Sequence, residues 1–182
     1  IVRLLTLGDL LKLSAIPRIQ HSVRKHLKGR VSRTLVSFRL REQDTLNRMI
    51  ETGTVLSGSA ALEIVSPGTC KPRDLNFYCP SGAAQRFISL ILETEGFVEE
   101  NKPFKVLMAE RTPFSRFEVN NGVKRLYRLV HLSSKMVVNV VESVSASPIA
   151  PLLFFHSTLL MNYVSGDSVV SLYPSLTYEG TG

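Results

Sequence analysis

The chain has 182 residues, 44% of them hydrophobic and 20% charged, with a net charge of +7. That is long enough to bury one proper core and ordinary in composition for a globular protein. It also argues against a membrane protein. The longest apolar run, Ile149 to Val164, is broken by Pro151, His156, Ser157, Thr158 and Asn162 and falls short of the roughly 20 uninterrupted residues that span a bilayer.

The charge is unevenly placed. Residues 1–50 hold 11 of the 22 Lys and Arg and three acids, Asp9, Glu42 and Asp44, which makes that segment +8 and leaves the remainder at −1. A basic lobe beside a neutral one points to a polyanionic partner, RNA or an acidic protein. A solvated helix face is the competing explanation, and the lobe lacks the interleaved aromatics of single-strand binders. The two cysteines, Cys70 and Cys79, have no metal-ligand spacing, so free thiols in a reducing compartment, cytoplasmic or nuclear, are expected.

In chain order, Thr6 with Asp9 three residues on marks a helix start. A second helix fits Ile16, Ile19, Val23 and Leu27, carries Arg18, Arg24, Lys25 and Lys28 on its other face, and is expected to stop at Gly29. Val31 to Phe38 is open between helix and strand. Asp44 to Glu51 reads as a helix with Leu46, Met49 and Ile50 inward and Gly53 as its stop. Val55-Leu56 is a short buried strand, Ala60 to Val65 a helix opening from Gly58-Ser59, and Leu75 to Tyr78 the next strand. Ser81 caps an amphipathic helix whose buried face is Ala84, Phe87, Ile88 and Ile91, ended by Gly96. The pattern is weak from Phe97 to Pro113. Leu126 to Leu132 and Met136 to Val141 read as a hairpin joined at Ser133-Ser134-Lys135. Leu152 to Val164 reads as an apolar helix buried on both faces, with His156 as a core histidine. The segment from Tyr173-Pro174 onward is expected to be a tail or cover loop.

The chemistry concentrates in two stretches. Ser57-Gly58-Ser59 is a turn into a helix, where glycine lets the backbone approach, hydroxyls flank it and helix-start amides face an anion. Asp74 and Asn76 stand at i and i+2 of the following strand and so share a face. Paired carboxylates in such a place could hold Mg²⁺ against a triphosphate. Here the second position is an amide.

Val55-Leu56-Ser57-Gly58-Ser59 with Asp74-Leu75-Asn76 resembles the nucleotidyltransferase signature, an apolar-Gly-Ser turn followed by Asp-x-Asp. The chain also resembles uncharacterised fungal proteins of that type, through Phe155-His156-Ser157-Thr158 and Leu172-Tyr173-Pro174. The resemblance implies an α/β (α+β) fold with a small mixed sheet flanked by helices. Residues 53–182 would form the nucleotidyltransferase-like domain and residues 1–52 a basic helical extension packed into one unit with it. It implies phosphate contacts from Ser57, Gly58 and Ser59, with Asp74 and Asn76 at the catalytic positions and Asp74 as a metal ligand. The family's third acid belongs on the strand Met136 to Val141, which offers Asn139. Glu142, just past it, could serve only in a shifted register.

Three functions follow. The favoured one is a catalytically degenerate nucleotidyltransferase, with weak or absent Mg²⁺, that binds a nucleotide, RNA or a protein partner, the polyanion through Arg24, Lys25 and Lys28. The second is an active Mg²⁺-dependent enzyme moving a nucleoside monophosphate from a nucleoside triphosphate onto RNA, protein or a small molecule, with Asp74 and Glu142 as ligands. The third is a structural or interaction domain with a vestigial pocket.

Overall fold

The computed structural model describes residues 4–94, 96–100 and 122–181. It is a mixed α/β structure built on one open, seven-stranded mixed sheet with six helices among the described residues. Helices α1 (Leu7–Ser14), α2 (Pro17–Ser37) and α3 (Glu42–Thr52) precede the first strand. There follow β1 (Val55–Ser57), α4 (Ser59–Val65), β2 (Asp74–Cys79), α5 (Ala84–Leu92), β3 (Phe97–Glu99), β4 (Val123–His131) and β5 (Val137–Ser143). Two 3₁₀ turns, Ala150–Phe154 and Thr158–Leu160, lead to β6 (Asn162–Val164), β7 (Val169–Ser171) and α6 (Pro174–Glu179). The strands lie in the order β3-β4-β5-β2-β1-β6-β7; β2 and β5 run parallel and the other neighbours antiparallel.

Period-two alternation divides the sheet into two faces. One carries Leu56, Leu75, Phe77, Cys79, Val138 and Val140 and receives the helices: Val31 and Leu35 of α2, Leu46 and Met49 of α3, Ala60 and Ile64 of α4, and Phe87, Ile88 and Ile91 of α5 join the same cluster. The Phe77 and Phe87 rings pack at 4.7 Å between centroids. The other face carries Val55, Tyr78, Leu126 and Val141 under Leu152, with Ile149 and Phe155 packed alongside. Helices α2 and α3 therefore contribute side chains to the same core as the sheet, while Leu7 of α1 packs with Leu62 and Val65 in a separate cluster.

Local chemistry accounts for the start of α1 and the end of α3. Thr6 and Asp9 form a reciprocal capping box at α1: the Asp9 amide donates to Thr6 Oγ1 at 3.2 Å and the Thr6 amide to Asp9 Oδ2 at 3.0 Å. Gly53 ends α3 in the left-handed conformation, φ 66°.

Several expectations need correcting. Helix α2 runs straight through Gly29 to Ser37. A glycine inside a helix costs about 1 kcal/mol, and burial of Arg30, Val31 and Leu35 beyond it outweighs that. Ile50 of α3 is exposed rather than inward. Ala83, not Ser81, stands at the start of α5 and makes no side-chain cap. Leu152 to Val164 is not a helix but two 3₁₀ turns and a strand, and His156 between the turns is exposed. The segment from Tyr173 onward forms α6 rather than a tail or cover loop. The expected weak region is β3 up to Glu99, and its continuation from residue 101 lies outside the described residues. Among the described residues no helix is long and apolar enough to cross a membrane.

Arg30 shows what an exposed-looking basic helix can hide. It is 5% exposed. Its guanidinium donates to the Ile64 carbonyl at 3.1 Å and the Leu5 carbonyl at 2.6 Å, and its Nε to His26 Nε2 at 3.3 Å. Ile64 lies in the last turn of α4, where a cation complements the helix dipole and satisfies an otherwise orphaned carbonyl.

Candidate functional site

The turn between β1 and α4 depends on Gly58, which sits at φ 77°, ψ −149°. That region is essentially closed to side chains, so the turn needs glycine even though a Cβ there would come no nearer to Asn76 Nδ2 than 3.6 Å. Ser57 lies opposite Asn76, and Asn76 lies opposite Asn139 on β5. The structure therefore brings Ser57, Gly58, Asp74, Asn76 and Asn139 together on the sheet face away from the helices.

Their bonding departs from a metal site. Asn139 Nδ2 donates to Asp74 Oδ2 at 2.8 Å and to Asn76 Oδ1 at 3.1 Å. Asn139 is 1% and Asn76 5% exposed, and Asp74 is half-buried. One side-chain amide thus occupies, with its two hydrogens, the place where a cation would draw the surrounding oxygens together. The opposite rotamer would set Asn139 Oδ1 against the Asp74 carboxylate, acceptor on acceptor. Mg²⁺ demands near-ideal octahedral oxygen ligation, commonly from one or two carboxylates. One carboxylate and two amides, one of them pointing N–H groups inward, do not fit it. No group of three or more His, Cys, Asp or Glu among the described residues is placed to hold a metal ion.

Glu142 does not join Asp74. It lies opposite Cys79, at the far end of β2, roughly 16 Å along the strand from Asp74 at 3.3 Å per residue. Three residues separate it from Asn139, so it points to the other face. There it accepts from the Gly82 amide at 2.7 Å and Lys124 Nζ at 2.9 Å. Burial alone would raise its carboxyl pKa, but the Gly82 amide and the Lys124 ammonium together hold it below the usual range. A depressed folded-state pKa contributes stability that is present above the unfolded value of 4.5 and lost as pH falls below it. We expect Glu142→Gln to cost about 2 kcal/mol at pH 7, the value of a hydrogen bond to a charged group. The gap to wild type should close as urea titrations are taken from pH 5 towards pH 3; a gap that does not change with pH would show that Glu142 is not held as the anion.

The phosphate-cradle residues divide. The Ser57 hydroxyl is buried and donates to the Asn162 carbonyl at 2.6 Å, fastening β1 to β6, so its proton is already committed within the fold. Ser59 is half-buried, and its carbonyl accepts the Cys70 thiol at 3.2 Å. Both cysteines are free thiols. Burial pushes the Cys79 thiol up to about 12, and Cys79 accepts from Thr54 Oγ1 at 3.1 Å; it is an inert core residue.

Arg24, Lys25 and Lys28 are exposed on α2. Since α2 packs on the helix-bearing face, the sheet lies between them and the Asp74 cluster, and the two cannot act as one site. Arg128, in contrast, does belong near the cluster. It lies opposite Asn139 on β4 and pairs with Glu100 at 2.8 Å. Its strand was legible in the sequence, but its partner was not, because the hairpin register decides which residue faces Asn139.

No protein-family model, curated protein or solved structure gives a significant match to this chain.

Proposed function

We propose that this chain is a catalytically silent protein of nucleotidyltransferase type that works by binding. In this reading the Asp74–Asn139–Asn76 cluster is a hydrogen-bonded strut. The observation that carries it is the Asn139 amide donated to both Asp74 and Asn76. A donor in the centre of the cluster repels a cation that carboxylates would have attracted, and two-metal transfer needs those cations to neutralise the attacking and leaving oxygens. The placement of Glu142 with Gly82 and Lys124 favours this reading over the active enzyme. The working surface is then the basic α2 face, taking RNA or an acidic protein. A nucleotide held at the β1–α4 turn without turnover is compatible with it.

The test incubates the chain with each labelled nucleoside triphosphate, Mg²⁺ or Mn²⁺, and either RNA or the chain itself as acceptor. No incorporation is expected, and any nucleotide affinity seen by calorimetry should be unchanged by Mg²⁺. Metal-dependent incorporation that disappears in Asp74→Ala would overturn the reading.

A further inference from the structure

Between α2, α3 and the β6–β7 turn runs a groove of about 570 Å³. Its floor is aliphatic: Leu27 and Val31 from α2, Leu46 from α3 and Val169 from β7. Ile50, an apolar side chain on the rim, is 60% exposed. Along one wall stand Arg24 and Lys28, one helical turn apart; along the other stand Gln43 and Asn47, also one turn apart. The β6–β7 turn closes one end. It is pressed onto α3 so closely that a Cβ at Gly166 would collide with Ile50 and with the Leu46 carbonyl.

Among the described residues, the charges of the cationic wall form no ion pair. Helix α2 contains no acid. Arg18, Arg24, Lys25, Lys28 and Arg33 are exposed, and none forms an ion pair with a described residue. Asp167, an acid lining the groove, is in the closing turn, with its carboxylate accepting from the Ser165 and Ser168 hydroxyls at 2.8 and 2.9 Å.

We propose that this groove receives an acidic amphipathic helix from a partner protein. This rests on the reading above that the chain works by binding, and it names the partner's chemistry. The stretch of α2 from Arg24 to Val31 is about 10 Å long at 1.5 Å per residue, which matches two turns of a helix. Aliphatic side chains at i, i+3 and i+7 of such a helix fill the floor, as in other helix-in-groove complexes, and two carboxylates one turn apart beside them meet Arg24 and Lys28. Single-stranded RNA is the poorer occupant, because a stacked base needs an aromatic platform and the lining has none among the described residues. A second copy is also disfavoured: at +7 per chain, it brings repulsion rather than complementarity.

The test pans a display library of 16-residue helical peptides, randomised on one face, against the whole chain and measures enriched peptides by fluorescence anisotropy. The enriched peptides should carry Asp or Glu beside Leu or Ile at helical spacing. Arg24→Glu/Lys28→Glu and Ile50→Arg should each weaken binding by about tenfold or more, and binding should fall with added salt. All these positions are exposed or rim positions, so circular dichroism should report an unchanged fold. No enrichment, enrichment without acids, or wild-type affinity in both variants would overturn the proposal. So would a 20-nucleotide RNA that binds through Arg24 and Lys28 while no peptide enriches. These outcomes leave the absence of nucleotidyl transfer untouched, since none of the variants alters the Asp74 cluster.

Discussion

The double variant Asn76→Asp/Asn139→Asp will be less stable than the wild type in EDTA by about 3 kcal/mol, and divalent metal will restore most of the loss. The wild-type cluster is held by Asn139 Nδ2, which reaches Asp74 at 2.8 Å and Asn76 at 3.1 Å. Replacing both amides removes one hydrogen bond to a charged group, worth about 2 kcal/mol, and one neutral bond, worth about 1. It also sets three carboxylates together. Like charges so close raise one another's pKa values, and a carboxylate raised in the folded state destabilises it as pH climbs through that raised value. The deficit should therefore widen from pH 4 to pH 8 and shrink below pH 3 towards about 1 kcal/mol, the worth of the neutral bond. Thermal melts should fall by roughly 6–12 °C at neutral pH. Mn²⁺ at a hundred times its dissociation constant should return about 2.7 kcal/mol, whereas the wild type should show no such response. Melting behaviour like that of the wild type, with and without Mn²⁺, would mean that the cluster is neither a strut nor the remains of a cation site.

Arg30→Met will cost about 3 kcal/mol. The guanidinium ties α2 to α4 and to the chain before α1, and its loss leaves the Ile64 and Leu5 carbonyls without the partners now at 3.1 and 2.6 Å. An orphaned buried acceptor costs about 1–3 kcal/mol, while methionine recovers part of the packing. Arg30→Lys should rescue little, since one ammonium cannot reproduce a planar fork aimed at two carbonyls and His26. Arg24→Gln on the same helix should stay within about 0.5 kcal/mol of wild type, as exposed substitutions do. Urea denaturation of the three variants checks the ranking; an Arg30→Met loss no larger than that of Arg24→Gln would show that the buried network carries no stability.

The comparison on α2 illustrates where sequence pattern fails. Gly29 looks like a stop, and the cations on either side of it look alike. Only the docking of α4 and of the chain before α1 separates Arg30, with its carbonyl partners, from Arg24, which points to solvent. The same holds at His156. Its apolar neighbourhood suggests a buried helix, yet Pro151 and the Ser157 side chain, which accepts from the Leu159 amide at 3.2 Å, favour two short 3₁₀ turns that leave the histidine exposed. In the hairpin, the β-branched strands are plain to read, but the turn spans Leu132 to Lys135, with the His131 amide donating to the Met136 carbonyl at 2.9 Å and Lys135 at φ 58°. A turn shorter by one residue would set Arg128 against Val140 on the other face. Because a one-residue slip reverses every side chain, the company Asn139 keeps could not be read from the strand itself.

From the residues alone, a glycine could be placed at the turn where β1 enters α4. So could Asp74 and Asn76 on one face of β2, with an amide rather than an acid on the later strand Met136 to Val141. Glycine's conformational freedom and the period of a strand are local properties, so they survive without knowledge of the fold. Tertiary structure alone decided the rest. The parallel register of β2 and β5 set Asn139 opposite Asn76 and sent Glu142 to Gly82 and Lys124, and the packing of β6 took the Ser57 hydroxyl for the Asn162 carbonyl. Those outcomes depend on pairings between distant segments, which the order of residues within a single element does not specify.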